Sequence, residues 1–152
     1  MGRVIVSAVA VLALTAFAPA PLHRPARRDA DAVTLARLQG DWKVVSFDTV
    51  GEKGDLTPIG QWFQGVRIKG DRWIYLVGER ENLTFRITLG NGRPATIDYF
   101  ELAGKQDQPY MIGITSRQGG RVAILYYWLR GPRAVSFDSA PANWWLLILE
   151  RG

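Results

Sequence analysis

From residue 42 onward, apolar residues recur with a period of two. Leu83, Phe85 and Ile87 fall on one parity and Thr84, Arg86 and Thr88 on the other; Val122, Ile124, Tyr126 and Trp128 share a parity in the same way. Such alternation sends successive side chains to opposite faces of a sheet. It predicts strands at 42–49, 65–69, 73–77, 83–89, 96–101, 110–115, 122–129, 134–138 and 144–151. Turn-forming clusters separate most of them: "KGD" at 69–71, "GNGRP" at 90–94, "QGG" at 118–120 and "RGP" at 130–132. The one helical signal is "TLARLQG", with Thr34 as cap, Leu35 and Leu38 as i,i+3 partners and Gly40 as stop.

Eight or nine strands on short turns predict an all-β antiparallel meander preceded by a short helical turn. A chain of this size removes its sheet edges most simply by closing into a small up-and-down barrel. The parities assign Tyr75, Phe85, Ile97, Ile112, Ile114, Val122, Ile124, Tyr126 and Trp128 to the interior. The strand at 122–129 is apolar on both faces, which predicts a cover on its outside as well.

The N-terminus has a different pattern. Arg3 precedes an apolar run from Val4 to Ala18, shorter than the ~20 residues of a spanning helix. Small residues follow. This order predicts a secretory signal peptide over 1–20. Proline follows both A-x-A sites, so an uncleaved anchor is the alternative. Residues 21–32, rich in Pro, Arg and Ala, predict a flexible tether, and 33–152 the barrel domain. The expected location is outside the cytoplasm: periplasm, cell envelope or medium, with no membrane span once the signal is removed.

Charge and chemistry narrow the function. The chain carries +5 from 19 basic and 14 acidic residues. Setting aside Arg3, Arg24, Arg27, Arg28, Asp29 and Asp31 leaves 15 and 12, a net +3 for the domain. Nothing in that balance makes the basic stripe of a nucleic-acid binder. The domain has no Cys and no His, since His23 lies in the tether. Thiol nucleophiles, Ser-His triads and most transition-metal sites are thereby excluded. Asp48 and Asp98 are the carboxylates best placed for acid–base work, against the plainer reading of outer-face residues. The reading is non-catalytic, with no cofactor and no metal.

The blocks "LQGDWKVVSF", "GVRIKGDRW", "PATIDYF", "MIGITSRQGGRVAILYY" and "LLILER", spanning nearly the whole domain, resemble the planctomycete lipocalin-like domain family. That resemblance implies a calycin-type barrel with no assigned reaction. It also implies that Trp42 of the G-x-W motif (Gly40, Asp41, Trp42) closes the barrel base, with an arginine of the last strand across its ring. Arg151 is the candidate partner. Family members carry a cysteine and an "R-P-x-x-F" block where this chain has "YYWLRGPRAVSFD", keeping only Arg133 and Phe137 of it.

Six Trp, five Tyr and six Phe, all but Phe17 in the domain, are the one surplus. The leading expectation is therefore non-covalent binding of a small apolar or aromatic molecule in the barrel mouth by the nine inward residues, with tyrosine hydroxyls as polar anchors. The rival is a cell-envelope module with a filled barrel, binding a protein partner through exposed Trp62, Trp144 and Trp145, rimmed by Arg130 and Arg133. Interior volume separates the two.

Overall fold

The computed structural model describes residues 32–60, 62–103, 107–128 and 132–152. The signal-peptide expectation, the tether as far as residue 31, and Leu129 and Arg130 lie outside them.

Helix α1, Leu35–Leu38, is a single turn whose N-cap Thr34 accepts a hydrogen bond from Arg37 N at 3.3 Å. Gly40 (φ +111) then turns the chain into the first strand, in a conformation that side chains rarely adopt. The strands are β1 Gly40–Val50, β2 Leu56–Pro58, β3 Gly65–Lys69, β4 Arg72–Val77, β5 Arg80–Leu89, β6 Ala95–Glu101, β7 Met111–Gln118, β8 Arg121–Trp128 and β9 Trp145–Arg151. Each of β3 to β8 pairs antiparallel with its successor. β1 pairs β3 through Gly40–Lys43 and pairs β9 from Trp42↔Arg151 to Thr49↔Trp145. Eight strands thus close an antiparallel up-and-down barrel of the lipocalin-like kind. β2 stands outside the circuit, clipped to the far end of β1 through Asp48–Val50.

The core fills this barrel. Toward the base it is mainly aliphatic: Val66, Ile68, Val122, Ile124, Leu147 and Leu149 are each 2% exposed or less, with Trp73 buried beside Ile68. Leu38 of α1 packs on it from below. Toward the other end it becomes aromatic, with Phe47, Phe63, Tyr75, Phe85 and Tyr126 in one cluster. Phe47 faces inward because the β1–β9 register shifts between Val44 and Ser46. One extra residue there reverses the parity that Trp42 and Val44 set.

Three expectations are corrected. Ile112 and Ile114 face outward. Their neighbours Met111 and Gly113 take the interior, since Gly113 stands opposite Ile97 and Tyr126, and Met111 opposite Tyr99 and Trp128. A β-carbon on Gly113 would lie 2.6 Å from Leu125 O and 2.8 Å from Tyr126 Cβ, so the close approach of these strands requires glycine. Residues 134–138 form no strand. They belong to a strap that crosses the outside of β6, β7 and β8. Arg133 anchors it, with Nη2 donating to Asp98 and Nη1 donating to Gly113 O at 2.8 Å. The β2 strand was not predicted.

Trp144 gives the third correction. It is 3% exposed, in an outer cluster with Val50, Ile114, Leu125 and Ala134, and stacks on Tyr127 at 5.6 Å and 16°. It is a strap residue under cover, not a surface anchor. The strap supplies the outer cover that the two-faced apolar pattern of β8 demands.

Candidate functional site: an aromatic cup at the barrel mouth

At the base, the first and last strands bring Trp42 and Arg151 opposite each other. The Arg151 guanidinium lies 4.8 Å from the centroid of the Trp42 ring. It also donates to Gln39 O at 2.9 Å and Arg37 O at 3.0 Å, while Trp42 Nε1 donates to Leu38 O at 2.7 Å. Indole, guanidinium and three orphan carbonyls of the helical turn are satisfied together. A β-carbon on Gly40 would come within 3.1 Å of Arg151 Nη1, so Gly40 leaves room for this lid as well as making the turn. The base is sealed.

The opposite end is not filled. A cavity of about 130 Å³ lies between the strand ends and the segment linking β2 to β3. Strands β1, β4, β5 and β7 contribute Phe47, Tyr75, Phe85 and Met111; β8 contributes Tyr126 and Trp128, and β9 Trp145. Ile59, Gly60, Trp62 and Phe63 cover it from the linking segment, with Leu83 at the rim. Two backbone bonds hold that segment: Ile59 N to Phe47 O at 2.8 Å, and Gln64 N to Leu76 O at 2.9 Å.

The cavity has a packing cause. Most of its rings meet edge-on, Phe63 and Tyr75 at 4.5 Å and 66°, Phe47 and Trp145 at 5.6 Å and 80°, Trp128 and Trp145 at 5.0 Å and 79°, while Phe47 and Tyr126 stack at 6.3 Å and 11°. Such geometry suits the aromatic quadrupole. Rigid rings held this way cannot flex into the gap between them, as the aliphatic chains of the base can.

Polar atoms inside are few. Burial pushes the Tyr75 phenol up to about 12, with Tyr126 and the Trp73 indole opposing the shift more weakly. Tyr99 and Tyr126 are raised well above the usual phenol value, by burial first and then by Tyr75. All three therefore stay neutral across the physiological range. Trp128 Nε1, Trp73 Nε1 and Tyr99 Oη are buried with no hydrogen-bond partner among the described residues. Of these, only Trp128 lines the cup.

Of the nine residues assigned to ligand contact, Tyr75, Phe85, Tyr126 and Trp128 come together in the cup. Ile97, Val122 and Ile124 are fully buried deeper in the barrel and do not line it. Ile112 and Ile114 are on the outer face. Phe47, Phe63, Met111 and Trp145 were missed. The bulge in β1 hid Phe47, the reversed parity of β7 hid Met111, and Phe63 lies outside any strand.

The carboxylates do not form an acid–base pair. Asp48 is on β1 and Asp98 on β6, strands that are not neighbours, and Asp98 is engaged by Arg133. A larger depression, about 1090 Å³, runs along the outside between residues 32–34, the β5–β6 turn and the strap. It lies largely open to water and so cannot shield an apolar ligand as the cup does. No family model, curated protein or solved structure matches this chain.

Proposed function

We propose that this protein is a non-catalytic carrier or sensor that binds a small apolar or aromatic molecule in the mouth cup. The cup itself carries the proposal: a partly open cavity of about 130 Å³ walled by rings, with no charged side chain in its lining. A cavity of ~150 Å³ with apolar walls suffices for benzene, so the ligand is about one ring in size. Binding rests on apolar burial, ~25 cal/mol per Å². The absence of His and Cys from the domain, and the separation of Asp48 from Asp98, support a role without chemistry.

Thermal shift of the full chain with benzene, toluene and indole tests this. The expected result is a concentration-dependent rise in Tm that Leu83→Trp removes by filling the cup from its rim. No rise with any of the three, or an equal rise in Leu83→Trp, overturns the reading.

A second reading has one observation behind it. Leu56, Trp62, Val77, Leu83 and Leu102 are each 37–51% exposed and all lie at the mouth end. A ring of apolar surface suits an envelope protein partner, with Trp62 in place of Trp144 as the anchor. In that case Trp62→Ala abolishes partner binding while small-molecule binding is absent from the unaltered chain. In either reading the order of charge, apolar run and small residues at the N-terminus supports export. Sequencing the mature protein from its own cell is expected to start between Pro19 and Ala32; an intact Met1 in a cytoplasmic fraction overturns it.

A further inference from the structure

We infer that the open depression beside the barrel base is a second site, which takes an oxyanion group, a phosphate or a carboxylate, on the Arg117 guanidinium. It is independent of the mouth cup and of what the cup binds.

Strand pairing brings three arginines to this end. Ala95 stands opposite Thr115, so Arg93 in the β5–β6 turn and Arg117 near the end of β7 each follow on from that pair along adjacent chain segments. Arg121 opens β8 opposite Gln118. All three line the depression, against a single lining carboxylate, Asp138 of the strap. Like charges held on neighbouring strands repel. Arg121 is partly answered by Glu150 at 3.7 Å, an ion pair more than half exposed on both sides. Arg117 is not answered. It continues the inward parity of Gly113 and Thr115 to the rim of the base and is half-buried there, whereas Arg93 and Arg121 are exposed. Its Nε is covered and has no partner. Its two Nη nitrogens are not covered and make no hydrogen bond or ion pair among the described residues. Arginines withdrawn from water are ordinarily paired, because nothing else offsets their lost hydration. An oxyanion from outside the chain supplies that partner in charge-assisted, bidentate form. The exposure to water that unfits this depression for an apolar molecule suits an ion that keeps part of its hydration.

Inorganic phosphate and citrate, added to the full chain at constant ionic strength, test this. A saturable rise in Tm is expected. Arg117→Gln is expected to weaken binding about tenfold or more, the loss of a charge-assisted hydrogen bond. Lys53→Gln, which removes the same charge at the mouth, is expected to leave it unchanged. Asp138→Asn, which removes the lining carboxylate, is expected to tighten it about two- to fivefold. Vesicles of phosphatidylglycerol, with phosphatidylcholine as control, distinguish a lipid headgroup from a free oxyanion. Cosedimentation with phosphatidylglycerol that Arg117→Gln loses, without a response to either free anion, assigns the site to a headgroup. No response to the free anions and no such cosedimentation overturn the inference. Binding that Arg117→Gln retains, or that Lys53→Gln loses equally, also overturns it. Should Arg117→Gln not fold, Asp138→Asn decides, and binding that is unchanged or weaker overturns the inference.

Discussion

At the base, Trp42 donates to Leu38 O beneath the Arg151 guanidinium, within the buried core; at the mouth, Trp128 lines a cavity and its Nε1 has no acceptor among the described residues. The same residue type closes one end of the barrel and leaves the other unfinished. Neighbours make the difference. Trp42 sits in the buried core cluster with Leu38, Val66, Ile68 and Leu149, and the helical turn supplies the carbonyl that its indole needs. Around Trp128 the neighbours are other rings, each fixed by edge-on contacts, and the voids between them remain. The indole that closes the base is hydrogen-bonded, and the one at the cavity is not.

Four measurements can break or sharpen that contrast. The largest effect is alkaline. The folded-state phenols of Tyr75, Tyr99 and Tyr126 are raised above the unfolded value of about 10, so their burial stabilises the fold fully below pH 10. That contribution is lost as pH climbs toward the folded value of about 12 for Tyr75, at ~1.4 kcal/mol per pH unit for each phenol. Cooperative unfolding between pH 10 and 12 is expected, with tyrosinate absorbance rising only as the fold is lost. Ionisation in a still-folded protein would mean that the aromatic half is open to water.

Next comes Trp42→Ala, expected to cost ~3–5 kcal/mol in denaturant unfolding, as large core truncations do. Removing a mouth ring such as Phe85 beside an existing cavity should cost less. If it costs as much, the two ends are not differently packed. Gly113→Ala follows, at ~1–3 kcal/mol from overpacking against Leu125 O and Tyr126. Arg151→Ala is smallest, at ~0.5–2 kcal/mol for a partly exposed cation–π contact with its carbonyl bonds. A double-mutant cycle with Trp42→Ala is expected to show coupling; additive effects would separate the two residues energetically.

Much of this architecture is readable from period and punctuation. β3 falls on its predicted residues, Thr34 caps the helical turn read from "TLARLQG", and Arg151 lies over the Trp42 ring. Where pattern alone is ambiguous, tertiary contacts decide. In β7 both parities are apolar, and what turns Met111 and Gly113 inward is the need for a residue without a side chain opposite Tyr126. The stretch 134–138 alternates like a strand, but Arg133 pins its start to β6 and β7 and no neighbouring strand edge is free to pair with it. Three residues of β2 carry no periodicity at all. The cup is legible only in part, because Phe47 depends on a bulge and Phe63 on a link between strands, and neither leaves a mark in the alternation.

The seam between β1 and β9 has a consequence for how the chain comes to be folded. Arg151 bonds to Gln39, 112 residues earlier, so the contact that closes the circuit is among the most distant in sequence that the chain makes. Contacts of such separation slow folding, since the ends must meet before the pairing rewards them. A nascent chain emerging N-terminus first holds Trp42 uncovered until β9 is made. Closure therefore waits for β9, and a chain cut short of it is left with two open strand edges and an uncovered core, the conditions under which sheets aggregate.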